Sequence, residues 1–228
     1  MAKIGPFEAH YERYEQWFET HQASYASELL ALRPLVPLVG QGIEIGVGTG
    51  RFAGPLGVSV GLDPSDAMLA RAAARGIETV KGTAEALPFP DQAFDYALVV
   101  TTICFVDSPE KMLAEAHRVL RPGGNLVIGF VDRASGLGQS YLERQAESDF
   151  YHEALFYSAA EVGEMLHAGG FVARLWGQTL FRPLGEISEI EPVRPGTSTG
   201  AFVVVSADRA TRDSAAPPDR RPGWGSAP

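Results

Sequence analysis

The sequence predicts an α/β fold. A doubly wound, mostly parallel sheet of seven strands carries helices on both faces and a helical cap at the N-terminus. Three observations predict it. Short apolar runs alternate with helical patterns between residues 42 and 131, the rhythm of strand–helix–strand units with right-handed crossovers. One run, FDYALVVTT (94–102), holds a continuous apolar stretch, as a strand buried on both faces does. The first run ends in IEIGVGTGRF (43–52), with Gly46, Gly48 and Gly50 within five positions.

Residues 7 to 32 read as helix, with Tyr11, Tyr14, Phe18, Tyr25, Leu29 and Leu32 at steps of three, four or seven. Pro34 and Pro37 stop it, so residues 1–39 form the expected cap. The run at 42–46 is the first strand and VSVGLD (58–63) the second. Only about seven residues separate Gly50 from that second strand, against the dozen or more a parallel crossover takes. The helix between them is expected to be barely two turns, with Gly54 and Pro55 as a forced corner. Ser65 to Arg75 reads as helix, capped by Ser65 or Asp66. IETVKG (77–82) is a third strand and FDYALVVTT a fourth. Pro109 to Leu120 is a helix that stops at RPGG (121–124), ahead of a fifth strand, NLVIGFV (125–131).

The rhythm then breaks. Residues 132–157 are polar and aromatic without a clean strand, and are expected to form an insertion over the substrate. YSAAEVGEMLHAGGF (157–171) returns to helix, closed by a glycine pair. VARLWGQ (172–178) and GAFVVVSA (200–207) are the last two strands, joined by a connector with three prolines over 182–199. The stretch from Asp208 onward is rich in Pro, Arg, Ser and Ala and is expected to be disordered.

The 228 residues suit one domain with a sizeable core. A net charge of −9 argues against a nucleic-acid backbone or an anionic membrane as partner and leaves a small cationic or neutral substrate open. Cys104 is the single cysteine, so no intrachain disulfide forms and a reducing cytoplasm fits. The N-terminus lacks the continuous apolar core of a signal peptide. No window approaches the roughly 20 apolar residues of a membrane helix.

Glycine tolerates positive φ and lets a ligand lie against bare backbone. A glycine turn from strand into helix also exposes N–H groups at a helix N-terminus. That is the nucleotide-site pattern of doubly wound folds, although an ordinary tight turn has the same sequence. Asp63, at the end of the second strand, can accept hydrogen bonds from both hydroxyls of a ribose. It also suits a cap for the helix from residue 65, and the two roles are compatible.

Four stretches together, EIGVGTG, GLDPSDAML, GTAEALPFPDQAFDYALVV and EAHRVLRPGGNLVIG, resemble the class I S-adenosylmethionine-dependent methyltransferases in order and spacing. They look most like the small-molecule subgroup that includes ubiquinone and menaquinone C-methylases. The likeness is close over residues 40–131 and looser over 7–207. It implies a Rossmann-like fold whose last strand inserts antiparallel between its neighbours. It also implies S-adenosylmethionine as cofactor, S-adenosylhomocysteine as product and a small-molecule methyl acceptor. Glu44 matches the acid that opens the glycine motif and braces the loop near the cofactor's amino end. Gly46, Gly48 and Gly50 match the positions facing the methionine moiety and ribose, and Asp63 the ribose acid. Pro64, Ser65 and Met68 match positions lining the adenine, and Thr83, Ala84 and Glu85 its edge. Val100, Thr101 and Thr102 fall near the sulfonium and the acceptor.

The sequence departs from that family in places. Thr83 stands where a carboxylate is usual and accepts more weakly from an amino group. Cys104 and Phe105 replace a histidine pair found in many relatives, which resembles a narrower set of uncharacterised bacterial and archaeal methyltransferases. An S-adenosylmethionine-binding module without transferase activity stays open as the alternative. A nicotinamide enzyme would share the glycine loop but not RVLRPGG.

Methyl transfer needs in-line alignment, exclusion of water and removal of any acceptor proton. The acceptor site of such folds lies over the carboxyl ends of the strands. Here the N-terminal helix offers Tyr11, Tyr14, Trp17 and Phe18, and the 132–157 segment offers Tyr141, Phe150, Tyr151, His152, Phe156 and Tyr157. These aromatics read either as core or as a lid able to hold a cationic or planar acceptor. Tyr14 is the candidate to close over the cofactor. His152 leads as general base, because imidazole is the side chain suited to acid–base work near neutral pH, with Tyr14 and Glu153 behind it. Cys104 reads as a small buried residue. Arg133 meets an acidic substrate or pairs with Asp132. His10, His21, His117, His152 and His167 show no metal-ligand spacing, and His117 and His167 read as surface or packing residues.

Overall fold

The computed structural model describes residues 5–211. The cap is three helices where one was expected: α1 (Gly5–Ala9), α2 (Tyr11–Thr20) and α3 (Gln22–Leu32). The chain bends at His10 and His21, whose φ/ψ are −126/30 and −114/45. At the second bend the His21 imidazole Nδ1 lies 3.0 Å from the Trp17 carbonyl and the ring stacks on Trp17. The same carbonyl also accepts the His21 backbone N–H at 2.9 Å. Apolar spacing runs on across both bends, so periodicity cannot reveal them.

Then follow β1 (Gly42–Ile45), α4 (Ala53–Leu56), β2 (Val60–Asp63), α5 (Asp66–Ala74), β3 (Glu78–Lys81), β4 (Phe94–Val100), α6 (Pro109–Val119) and β5 (Leu120–Val131). The short first crossover is a single turn, closed by Gly57 in the left-handed region. Ser65 caps α5, its hydroxyl accepting the Met68 N–H. β5 starts five residues earlier than the sequence suggests. Leu120 pairs with Phe94 and Asn125 with Tyr96, so residues 121–124 bulge out, helped by Gly123 at φ +74.

The chain continues through α7 (Gly136–Glu143), α8 (Ala159–Ala168), β6 (Phe171–Thr179), β7 (Arg194–Pro195) and β8 (Phe202–Arg209). α8 begins with a capping box between Ser158 and Glu161. The sheet order is β3-β2-β1-β4-β5-β8-β6-β7, eight strands where seven were expected. The extra one is the two-residue edge strand β7 within the proline-rich connector, too short for a pattern signal. β1 to β5 pair in parallel. β8 inserts antiparallel between β5 and β6. It runs two residues into the stretch expected to be disordered, whose remainder from residue 212 lies outside the described residues.

One core lies under α6 and α8 and includes Met112, Leu113, Val162 and Leu166. The other lies under the cap and includes Phe18, Leu32 and Leu35. Strand order reverses between β1 and β4, so their carboxyl ends open a crevice at the topological switch point. No helix among the described residues is long and apolar enough to cross a membrane.

Candidate active site

A cavity of about 300 Å³ opens at that switch point. The glycine loop forms its floor through backbone conformation. Gly46 and Gly48 have φ of +77 and +52. A Cβ on Gly46 would lie 2.3 Å from Thr102 Oγ1, and one on Gly48 would lie 3.3 Å from the Tyr14 hydroxyl. The loop is thus pressed between the end of β4 and the cap, and only bare backbone fits. Gly50 also has positive φ, but its missing Cβ faces Ile77 and Ala72. Its place is packing against α5, away from the cavity, which corrects the expectation that all three glycines face a ligand.

Asp63 lines the cavity. Its Oδ2 accepts the Gly48 N–H and its Oδ1 the Ser65 N–H, both at 2.9 Å. Burial raises its carboxyl above the ordinary value, although these two N–H groups pull it back. Each carboxylate oxygen keeps a second lone pair for a ligand. Ser65 is buried as the cap of α5 and does not line the cavity. Pro64, Met68, Thr83, Ala84, Val100, Thr101 and Thr102 do. Glu85 lines it too, with its Oε1 taken up by the Asp107 N–H at 2.7 Å. Glu44 is 1% exposed and lies behind the wall. Its carboxyl accepts the Ala53 N–H while Oε2 has no partner among the described residues, and burial pushes it well up.

Thr101 has φ +50 and Leu180, which also lines the cavity, has φ +61. Such conformations cost of order 1–3 kcal/mol for side-chain-bearing residues and cluster at functional sites. Tyr14 is packed between Phe18 and Phe7. Burial raises its phenol far above the usual range, and Glu44 and Asp63 add to this, so it is neutral at physiological pH. Phe7, Phe105, Tyr141, Phe150 and Tyr151 complete an aromatic end of the cavity. Tyr151 stacks on both Tyr141 and Phe105. Phe7 touches Phe105 and Phe150, joining the cap to the 132–157 segment.

The expectations for His152 and for an Arg133–Asp132 pair fail, while the buried placing expected for Cys104 holds. His152 is 43% exposed, faces the Asp149 carbonyl and Glu153, and does not line the cavity. It sits in the turn at 149–153 with its ring on the outside, which the sequence does not reveal. Arg133 pairs with Glu161 at 2.7 Å, while Asp132 accepts the Ala134 N–H. Cys104 is buried against Ala154 and Phe156, its Sγ donating to the Thr101 carbonyl. The sequence reading also missed cavity residues, among them Arg13, Glu28, Phe52, Leu137 and Leu180. Glu28 lay in plain view within a helix, but no pattern separates a buried glutamate from a surface one.

The fold and this cavity define a nucleotide-type site at a Rossmann-like switch point. Residues 43–128 match the family model described as a methyltransferase domain. A solved S-adenosylmethionine-dependent methyltransferase of Thermotoga maritima, named a possible histamine N-methyltransferase, is 48% identical. It covers 91% of this chain and 100% of its own, with a TM-score of 0.89. An uncharacterized protein of Methanocaldococcus jannaschii is 42% identical over 89% of this chain and 98% of its own. A ubiquinone/menaquinone C-methyltransferase of Methylobacterium nodulans is 37% identical over 47% of this chain and 48% of its own. The chain belongs to the S-adenosylmethionine-dependent methyltransferases, and S-adenosylmethionine is its cofactor.

The residues present fit that group. A side-chain-free cradle at Gly46 and Gly48, free lone pairs on Asp63 and the Thr83–Glu85 wall face one cavity. When bound, the cofactor supplies a methyl group on a sulfonium, already activated for transfer.

Proposed function

We propose that this enzyme transfers the methyl group to a small-molecule acceptor bound at the aromatic end of the cavity. The observation that carries the reading is continuity. One continuous space runs from Asp63 and the glycine loop to Tyr141, Phe150 and Tyr151, leaving room for a small molecule beside the cofactor. In this reading Gly46, Gly48, Asp63, Pro64, Met68, Thr83, Ala84 and Glu85 hold the cofactor, while Val100, Thr101 and Thr102 border the transferred methyl. Tyr14 closes over Gly48, and Glu44, Gly50 and Ser65 shape the loop and helix from behind. The 132–157 segment is the substrate cover, and the single buried cysteine supports action in the cytoplasm.

The likeness to the C-methylases reaches the cofactor-binding half only, and so does not choose carbon as the acceptor atom. The description of the Thermotoga relative favours nitrogen. The test is calorimetric titration with S-adenosylmethionine, S-adenosylhomocysteine and NAD, followed by methyl-transfer assays on pooled small metabolites. Micromolar binding of the first two, no binding of NAD and methylation of a small molecule are expected. Binding without turnover on any pool would favour a binding module over a transferase, and no binding at all would end the reading.

A further inference from the structure

Three carboxylates line the cavity. Asp63 accepts two backbone N–H groups and Glu85 accepts those of Asp107 and Ser108. The third, Glu28, is 5% exposed and has no hydrogen bond or ion pair to any described residue. A carboxyl so deeply buried without a protein partner costs several kcal/mol to hold in its charged form, a cost that a cationic ligand in the cavity would offset.

Its surroundings show which end of the cavity it serves. Tyr14, Tyr25, Tyr141 and Tyr151 all feel the Glu28 charge. The helix that carries it, α3, packs against β5, β6 and β8, away from β2 and β3, whose ends carry Asp63 and lead to Thr83, so Glu28 belongs to the acceptor end. The cation lining the cavity, Arg13, is largely exposed and paired with Asp149. Beside α3, the Glu191 N–H donates to Ser27, and Glu191 is itself paired with Arg182. The four tyrosines are all raised by burial and are neutral up to alkaline pH. Glu28 is pushed up to about 8 by burial.

We propose that Glu28 is the acceptor-binding carboxylate and that the acceptor is a small amine, whose ammonium Glu28 pairs with and deprotonates. This rests on the methyltransferase reading above. An ammonium supplies both the counter-charge and the hydrogen bond that Glu28 lacks, and the tyrosines that share its cavity, Tyr14, Tyr141 and Tyr151, suit a cation. An acidic acceptor would be repelled. The ammonium proton passes to a Glu28 oxygen, freeing the nitrogen lone pair. That pair forms the N–C bond to the methyl as the C–S bond breaks, its electrons staying on sulfur. The products are a methylammonium and a neutral thioether. The proton on Glu28 is the one released to solvent in the overall reaction.

The test compares wild type, Glu28→Gln and Glu28→Asp. S-adenosylhomocysteine should bind all three within about twofold. With that ligand saturating, phenethylamine, tryptamine and histamine are titrated in turn. The best of them should bind Glu28→Gln at least about 30-fold more weakly, and kcat/KM for its methylation should fall about a hundredfold or more. Glu28→Asp should lie between. In wild type kcat/KM should rise with pH through about 8, and in Glu28→Gln it should follow only the ionisation of the amine. Unchanged amine binding and turnover in Glu28→Gln would overturn the proposal. So would loss of S-adenosylhomocysteine binding in that variant, or methylation of 4-ethylphenol or 3-phenylpropionate with no amine accepted. A wild type that binds no S-adenosylhomocysteine would instead refute the methyltransferase reading itself.

Discussion

The two ends of the cavity are built from different materials. The cofactor end is main chain: glycines at positive φ, N–H groups held by Asp63, and the tips of parallel strands. The acceptor end is side chain: rings from the cap, from Phe105 and from the 132–157 segment, sharing the lining with one glutamate that has no partner among the described residues. A main-chain site is fixed by the sheet that carries it, and it suits a ligand that never changes. A side-chain site can be rewritten residue by residue without touching the sheet, so the choice of acceptor belongs there.

The contrast can be broken most severely at Gly46. Gly46→Val would drive a branched side chain into Thr102 at a positive φ. Cofactor binding is expected to vanish in calorimetry, and binding within tenfold of wild type would show that the loop is softer than its contacts imply.

The acceptor end should reveal itself through stability. The Glu28 carboxyl is raised from its ordinary value to about 8 in the folded state. Folding therefore favours its protonated form. That contribution is fully present below about pH 4.5 and is lost as pH rises through about 8. Glu28→Gln does not titrate. Relative to wild type it should gain roughly 2–4 kcal/mol between pH 4 and pH 8, read from urea unfolding at several pH values. A difference independent of pH would mean that Glu28 is ionised in the folded protein.

Asp63→Ala removes the acceptor of two backbone N–H groups and the proposed ribose ligand. Cofactor binding should weaken by about 1–3 kcal/mol, and unchanged affinity would refute the ribose role. Tyr14→Phe keeps the ring packing and removes only the hydroxyl over Gly48. A loss of about 0.5–1.5 kcal/mol in cofactor affinity is expected, with the melting temperature little changed. His152→Ala marks the other extreme. The ring lies outside the cavity, so turnover should stay within about twofold, and a larger loss would restore it as a base.

The legibility of each region follows the same division. EIGVGTG, Asp63 and the fourth strand could be read because their roles depend on local backbone, and local backbone depends on neighbouring residues. The insertion of β8 between β5 and β6 was legible only through resemblance, since nothing in FVVVSADR states its partner. Gly50 shows the limit within the motif itself. Its positive φ follows from the sequence, but its direction, toward Ile77 and Ala72, follows from where α5 packs.

By itself, then, the sequence determined the alternation of strands and helices, the glycine turn and the acid at its side, all written in contiguous residues whose preferences add locally. The class of cofactor came through the resemblance that those stretches carry together. Tertiary structure alone decided that Glu28 reaches the cavity while His152 faces solvent, and that Arg133 meets Glu161. The physical reason is that side-chain environment depends on packing between segments distant in the chain. Glu28 lies on a cap helix, and Tyr141, Phe150 and Tyr151 of the same cavity come from more than a hundred positions away.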